Sequence, residues 1–113
     1  MLTPDWTKEF PGMISVCDEH GKILALNDRE ADFFQEQGGR SLIGTSLYQC
    51  HKPASNQMIK EMMKDRKTRV YIAEEHGQRE LVIQSPWYQN GQFAGLVEIS
   101  VMLEADIAVI KRD

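Results

Sequence analysis

The chain has 113 residues, which is the length of a single domain. Its formal net charge is −4, from 13 basic and 17 acidic side chains, so it lacks the basic excess of a general nucleic-acid binder or of a protein that docks electrostatically on anionic membranes. No apolar stretch approaches the length that crosses a bilayer, and residues 1–10 lack the basic-then-apolar plan of a secretion signal. These features predict a cytoplasmic protein in which Cys17 and Cys50 are reduced. For both cysteines, a small partly buried apolar residue is the expected role.

The first two predicted strands are residues 13–18 and 23–27, joined by a turn at Gly21. Glycine supplies the backbone freedom that a tight turn needs. Within the first strand, Ile14 and Val16 share one face because successive side chains alternate. The chain is therefore predicted to open with a β-hairpin.

Residues 28–67 have helical character. Asn27 is a good N-cap for a first helix, Glu30 gives a box-like capping pattern three residues later, and Gly38 and Gly39 end that helix. The longest predicted helix opens at residues 53–55. Its apolar side chains recur at helical spacing, and they are Met58, Ile59, Met62 and Met63.

Three more strands are predicted at residues 69–74, 79–88 and 93–102. The turns between them contain Gly77 and Asn90-Gly91, and Asn-Gly between apolar segments is a strong hairpin signal. Adjacent hairpins make an antiparallel sheet, and helices must cover one face of it. The predicted fold class is therefore α+β, a five-stranded antiparallel sheet with short helices on one face.

The last strand separates apolar from polar side chains. Val97 and Ile99 alternate with Glu98. We expect the apolar row to face the helices, which would leave Glu98 on the outer face of the sheet.

This order of elements, together with several local motifs, resembles the PAS family. Residues 10–14 look like the opening of a PAS hairpin, and Asn27 matches the asparagine that usually starts the first PAS helix. Residues 42–48 are similar to the L-I-G-x-S-L segment of the helical region. Residues 91–95 resemble the last hairpin, and residues 104–107 resemble the exit that follows it.

The resemblance implies a PAS-type sensory and protein-interaction module in signal transduction. The sequence has no Gly-x-Gly-x-x-Gly motif, phosphate loop or Gly-x-Ser-x-Gly elbow, which predicts that the chain is not an enzyme. Such modules usually stand beside kinase, cyclase or DNA-binding domains, as in two-component systems and transcription regulation. The division that follows is an N-terminal cap segment at residues 1–10, the PAS domain at 11–103, and a C-terminal exit segment at 104–113. The expected partners are a second copy, reached through the N-terminal segment or the sheet face, and a small ligand, with no nucleic acid bound by the domain itself and no membrane.

Both terminal segments carry apolar side chains. Trp6 and Phe10 are candidates for a cap that packs on the sheet or on another copy. Leu103, Ile107 and Ile110 have helical spacing, which predicts the start of a helix toward an output domain.

A ligand pocket is predicted between the sheet and the helices, with plain core packing as the alternative. Its candidate lining residues are apolar or aromatic apart from one histidine. They are Phe33, Phe34, Leu47, Tyr48, His51, Met58, Met62, Ile72, Ile83 and Val97.

His51 is the first candidate ligand of a cofactor. The resemblance implies it, because haem-binding PAS domains take an axial histidine from this helical region. Cys50 is a second candidate, as a thiolate ligand or redox-sensitive thiol. An exposed or capping histidine is the alternative for His51. No cluster has metal-ligand spacing, so the cofactor stays unknown, with haem possible.

The remaining alternative is a small cup-shaped enzyme or carrier. Such a protein needs a carboxylate inside the cup with a raised pKa. The candidates are Asp18, Asp32 and Glu98, and the direction in which they point would discriminate between an enzyme and a sensor.

Overall fold

The computed structural model describes residues 4–49 and 51–113, so the predicted roles of Cys50 and of residues 1–3 lie outside the described residues. The strands are β1 (Met13–Asp18), β2 (Ile23–Leu26), β3 (Arg69–Glu75), β4 (Gln78–Gln89) and β5 (Gln92–Leu103). The α-helices are α1 (Asp28–Phe33) and α2 (Pro53–Asp65). Short 3-10 helices lie at Gln35–Gln37, Gly39–Leu42 and Leu47–Gln49.

The five strands form one antiparallel sheet in the order β2-β1-β5-β4-β3. Three hairpins supply the neighbouring pairs, and the pairing of β1 with β5 brings the two ends of the domain together. Asn90 and Gly91 both have positive φ, at 54° and 77°, which is the backbone that a two-residue hairpin turn requires. The predicted α+β fold is confirmed.

Asn27 ties the first helix to the first strand. Its Oδ1 accepts hydrogen bonds from the Ile14 N–H at 3.0 Å and from the Glu30 N–H at 3.1 Å, and its Nδ2 donates to the Gly12 carbonyl at 2.9 Å. The predicted N-cap is therefore confirmed. In a capping box the Glu30 side chain would accept a hydrogen bond from the Asn27 N–H. Here that N–H donates to the Ile14 carbonyl at 3.0 Å, so the Glu30 carboxyl takes no part in capping.

Helix α2 covers the sheet through a small core. Met62 of α2 is buried against Cys17 of β1 and Leu96 of β5. The partly buried side chains around this core are Leu47, Ile59, Met63 and Phe93. Cys17 thus has the predicted role of a small buried apolar residue, and burial raises the pKa of its thiol.

The polarity of the two sheet faces is opposite to the prediction. Glu98 pairs with Ser15 on one side and Gln84 on the other, so these three side chains share a face. That face is the covered one, because Leu96, two residues before Glu98, packs against Met62 of α2. The expectation that Glu98 lies on the outer face is therefore wrong. We call the covered face the inner face and the opposite one the outer face.

Gly95 lets two strands approach closely. A Cβ at this position would collide with the carbonyl of Cys17, and the φ of Gly95 is +146°. The Trp87 indole Nε1 donates to the same carbonyl at 3.0 Å, next to the register shift between Trp87 and Tyr88. The main chain of the inner wall is thus held by a side chain from β4.

The terminal segments have different structures. The carbonyl of Lys8 accepts a hydrogen bond from the Asp28 N–H at 3.0 Å, which joins the N-terminal segment to α1, and Trp6 contacts Phe10 edge-on at 5.9 Å. Residues 104–113 have no regular secondary structure, and Val109 is 87% exposed. The predicted helix through Ile107 and Ile110 is wrong. Both side chains are exposed, and a short helix is not stable when its apolar face is not packed against another element.

No helix in the described part of the chain combines the length and the apolar character that crossing a membrane requires.

Candidate functional site

A cavity of about 490 Å³ lies between the inner face and the helices. This volume is within the range of small-molecule sites. Six of the ten predicted lining residues border it, and they are Phe34, Leu47, His51, Met58, Met62 and Val97. Val97 borders the cavity although its side chain alternates with that of Glu98 along β5.

Four predicted lining residues lie elsewhere. Phe33 is 67% exposed and packs edge-on against Phe34 at 5.0 Å. Tyr48 packs against the β1–β2 turn, where any side chain at Gly21 would collide with its ring. Ile72 and Ile83 belong to the outer face, because the strand phase is opposite to the one predicted.

Most of the polar lining was not predicted. It consists of Ser15, Glu30, Gln37, Ser55, Tyr71, Gln84 and Glu98. A signal for part of this set was present in the sequence, since Ser15, Gln84 and Glu98 interrupt otherwise apolar strands. Alternation alone does not say which face a strand buries.

Glu30 is the most unusual of these side chains. The residue is only 9% exposed, and its carboxyl has no hydrogen-bond or ion-pair partner among the described residues. Asn27 positions it, because the N-cap fixes the first turn of α1 with Glu30 over the inner face. Burial, reinforced by the carboxylates of Glu98 and Glu80, raises the pKa of Glu30 from 4.5 to about 7.

Gln84 links the polar groups on the floor of the cavity. Its Nε2 donates to Glu98 Oε1 at 3.1 Å and lies 3.4 Å from the Tyr71 hydroxyl. The amide thus presents its nitrogen to both oxygens. Its Oε1 is then left buried without a partner in the described part of the chain. Burial also raises the pKa of Tyr71, with Glu98 and Glu80 adding to the effect.

His51 lies at the exposed rim of the cavity. Its Nδ1 is 2.7 Å from the Leu47 carbonyl, which can only accept, so Nδ1 carries the proton. Nε2 is then the nitrogen with a free lone pair, which is the tautomer that a metal-binding histidine uses.

The other two candidate carboxylates do not enter the cavity. Asp18 accepts hydrogen bonds from the N–H groups of His20 and Lys22, each at 2.9 Å, and so closes the first turn. Asp32 lies on the exposed side of α1. Among residues 4–49 and 51–113, no group of three or more His, Cys, Asp or Glu side chains is arranged to hold a metal ion.

No protein-family model matches the chain, and no curated protein matches it. Solved structures do match. The chain is similar to the PAS domain of BvgS from Bordetella pertussis, at 19% identity and a TM-score of 0.63, over 87% of this chain and 81% of that one. It is also similar to the Aer2 receptor of Vibrio cholerae, at 13% identity and a TM-score of 0.63, over 82% of this chain and 95% of that one.

A third similar structure is the VqmA dimer of Vibrio cholerae, at 15% identity and a TM-score of 0.67. The match covers 92% of this chain, which spans about half of the VqmA chain, at 52%. Identities this low establish a common fold, and the five-stranded sheet with helices on one face is that fold.

Proposed function

Because the chain has the PAS fold, we propose that it is a sensory and protein-interaction module of signal transduction that binds a small organic ligand in its cavity. The observation that carries the proposal is Glu30, a buried carboxyl that faces the cavity and has no partner in the described structure. Two similar proteins support it, since VqmA has been solved bound to DPO and Aer2 is a PAS-haem oxygen sensor.

The energetic reason is the cost of burying a polar group. A buried acceptor without a hydrogen bond costs about 1–3 kcal/mol, and a charged one costs more. A packing role for Glu30 would be served better by Leu or Met at the same position. A carboxyl that faces a cavity without a protein partner is available to a ligand, and this supports the proposal.

The mechanism is a shift between two populations of the domain. A ligand that contacts both the inner face and α2 binds most tightly to the conformation in which the helix is closest to the sheet, and it stabilises that conformation by the difference in affinity. Glu30 lies on α1, and the Asp28 N–H of that helix is bonded to the Lys8 carbonyl, so the N-terminal segment is directly attached to the ligand-binding helix.

Ligand binding can be tested by native mass spectrometry of the purified chain against a metabolite library. A one-to-one complex should form and should slow hydrogen exchange in residues 45–67. Ser15→Phe, which fills the cavity, should abolish the complex, whereas the matched Ile83→Phe on the outer face should not. Ser55→Phe repeats the test from α2. A complex that survives both cavity-filling variants would place the ligand elsewhere and contradict the proposal.

A haem sensor is the second candidate, favoured by the His51 tautomer, which leaves Nε2 free at the cavity rim. His51 would supply the axial ligand, and bound haem would supply gas binding or redox chemistry. The acidic lining fits haem less well, since no lysine or arginine among the described lining residues is placed to pair with the propionates. Haem addition should give a sharp visible absorption band that His51→Ala removes, and an identical spectrum for the variant would exclude His51.

We also propose that the domain binds without catalysing a reaction. The structure gives the enzyme alternative one feature that it needs, because Glu98 and Glu30 both line the cavity and Glu30 has a pKa near that of a general base. It gives Glu30 no hydrogen-bonded nucleophile or acid in the described residues. Proton NMR of a bound molecule before and after prolonged incubation should show it unchanged, and a new product would overturn this part.

A homodimer through the outer face is the proposed assembly. That face is apolar, with Ile72 45% exposed on β3 and with Ile83 and Ile99 beside each other on β4 and β5. The similar VqmA protein is a dimer, which supports the same assembly here.

A further inference from the structure

The charged side chains that line the cavity are acidic. Glu30 and Glu98 border it, and Glu80 lies close enough on the inner face to raise the pKa of Glu30. No lysine or arginine belongs to the lining in the described part of the chain. Arg69 pairs with Gln84 across β3 and β4, and its Nη2 binds Asp65 at 3.0 Å, while its Nη1 is buried without a partner in the described part of the chain. The charged side chains that border the cavity itself are thus acidic, and Arg69 is the cation on the row that continues from Gln84.

The carboxyl and amide oxygens of the cavity include several acceptors without partners. Both carboxyl oxygens of Glu30 are without partners, and Gln84 Oε1 is buried beside the cavity without one. The Nε2 of Gln84 already donates to Glu98 and to Tyr71. His51 adds a fourth acceptor atom at the rim, because Nε2 of the neutral imidazole carries the lone pair when Nδ1 donates to Leu47. A ligand with several donors matches these acceptors, while Ser15, Gln37 and Ser55 can either donate or accept.

We propose that the cavity binds a small organic cation with several N–H donors, such as an amidinium or a primary ammonium, and excludes carboxylate ligands. This inference rests on the proposed function, and it names the chemical class of the ligand. The cationic group lies between Glu30 and the Gln84–Glu98 pair. Its apolar part contacts Met58, Met62 and other side chains from α2 and the sheet.

The proposal has a pH dependence with a defined sign. Glu30 is neutral below its pKa of about 7 and binds a cation weakly there, whereas above that pH its ionised form binds the cation more tightly. Affinity therefore rises with pH through the neutral range. The other titratable groups around the cavity are Cys17, His51, Tyr71, Glu80 and Glu98. His51→Ala, which removes the histidine at the rim, is the control.

The test uses three probes of the same shape and different charge. They are benzamidine, a cation with N–H donors, benzamide, its neutral counterpart, and benzoate, the anion. Isothermal titration calorimetry of the chain at pH 8 should show that benzamidine binds about tenfold or more tightly than benzamide and that benzoate does not bind. A hydrogen bond to a charged group is roughly twice as strong as a neutral one, and this difference corresponds to about tenfold in affinity. Glu30→Gln should weaken benzamidine about tenfold, remove most of the pH dependence, and leave benzamide unchanged.

Equal affinity for the three probes, preference for benzoate, or no binding of benzamidine at millimolar concentration would overturn the cation inference. Binding of benzoate, or binding of benzamide as tight as that of benzamidine, that Ser15→Phe abolishes would overturn it while leaving the sensory proposal standing, because the cavity would still hold a ligand. The sensory proposal fails separately, when the metabolite library yields no complex that the cavity-filling variants remove.

Discussion

The two faces of the sheet differ in a way that reverses the usual arrangement. The inner face, which the helices cover, carries the polar row of Ser15, Gln84 and Glu98. The outer face carries apolar side chains such as Ile72 and Ile83, and the described helices lie over the other face. Beside its polar row, the inner face has only a small apolar core around Cys17 and Leu96. The difference supports the proposals that the inner face binds a small ligand and that the outer face binds a protein.

The largest effect is expected at Asn27, which ties α1 to β1. Asn27→Ala removes the hydrogen bonds to Gly12, Ile14 and Glu30 and should lower the free energy of unfolding by about 3 kcal/mol, since several buried partners lose their bonds together. Urea denaturation followed by circular dichroism measures it. Asn27→Asp keeps the acceptor and loses the donor, so it should cost less. Equal losses for the two variants would show that the Oδ1 bonds contribute nothing.

A second effect isolates the charge on the inner face. The pKa of Glu30 is raised in the folded state, so ionisation opposes folding: its contribution to stability is fully present below pH 4.5 and is lost as pH rises through about 7. Glu30→Gln should therefore raise the free energy of unfolding at pH 8 by about 2 kcal/mol and change it little at pH 4. The value is lower than the energy equivalent of the full pKa difference, because water in the cavity screens the charge.

Urea denaturation at both pH values measures this difference. Glu36→Gln, on an exposed 3-10 helix, is the control and should show no pH-dependent gain. A loss of stability at pH 8 in Glu30→Gln would mean that the carboxylate has a stabilising partner, contrary to the structure.

The third and smallest effect concerns the outer face. Ile72→Lys places a charge on an exposed apolar position, so the stability of the monomer should change by about 0.5 kcal/mol or less. Dimerisation through this face should weaken about tenfold or more, because the charge would be desolvated at the interface. Sedimentation velocity over a concentration series measures the dimer constant, with Glu36→Lys as control. An unchanged constant would move the dimer interface off this face.

Local signals predicted the elements well. Asn90-Gly91 and the glycine of each other hairpin marked the turns, and Asn27 marked the first helix, because each of these depends on backbone preferences of one or two residues. The predicted helix at Ile107 failed because spacing alone does not stabilise a short helix without a packing partner.

The site was predicted only in part, for a different reason. Alternation of Val97 and Glu98 shows that a strand has two faces, but which face the helices cover depends on how β5 pairs with distant strands. Assigning apolar residues to the covered face is the default, and it excluded Glu98 and Gln84 from the pocket. Met58 and Met62 on α2 border the cavity, because the position of that helix does not depend on the phase of β5, whereas Phe33 on α1 is exposed.

The bond between Trp87 and Cys17 has a practical consequence. Cys17 lines the cavity while its carbonyl accepts a hydrogen bond from the Trp87 indole at 3.0 Å, so the domain contains an intrinsic fluorophore attached to the wall of the cavity that we propose as a ligand site. Any movement of β1 on ligand entry changes the polarity and hydrogen bonding of that indole, and with them the wavelength of its emission. The other tryptophan, Trp6, is exposed and can be replaced by Phe, which leaves one reporter that follows occupancy in solution without a label.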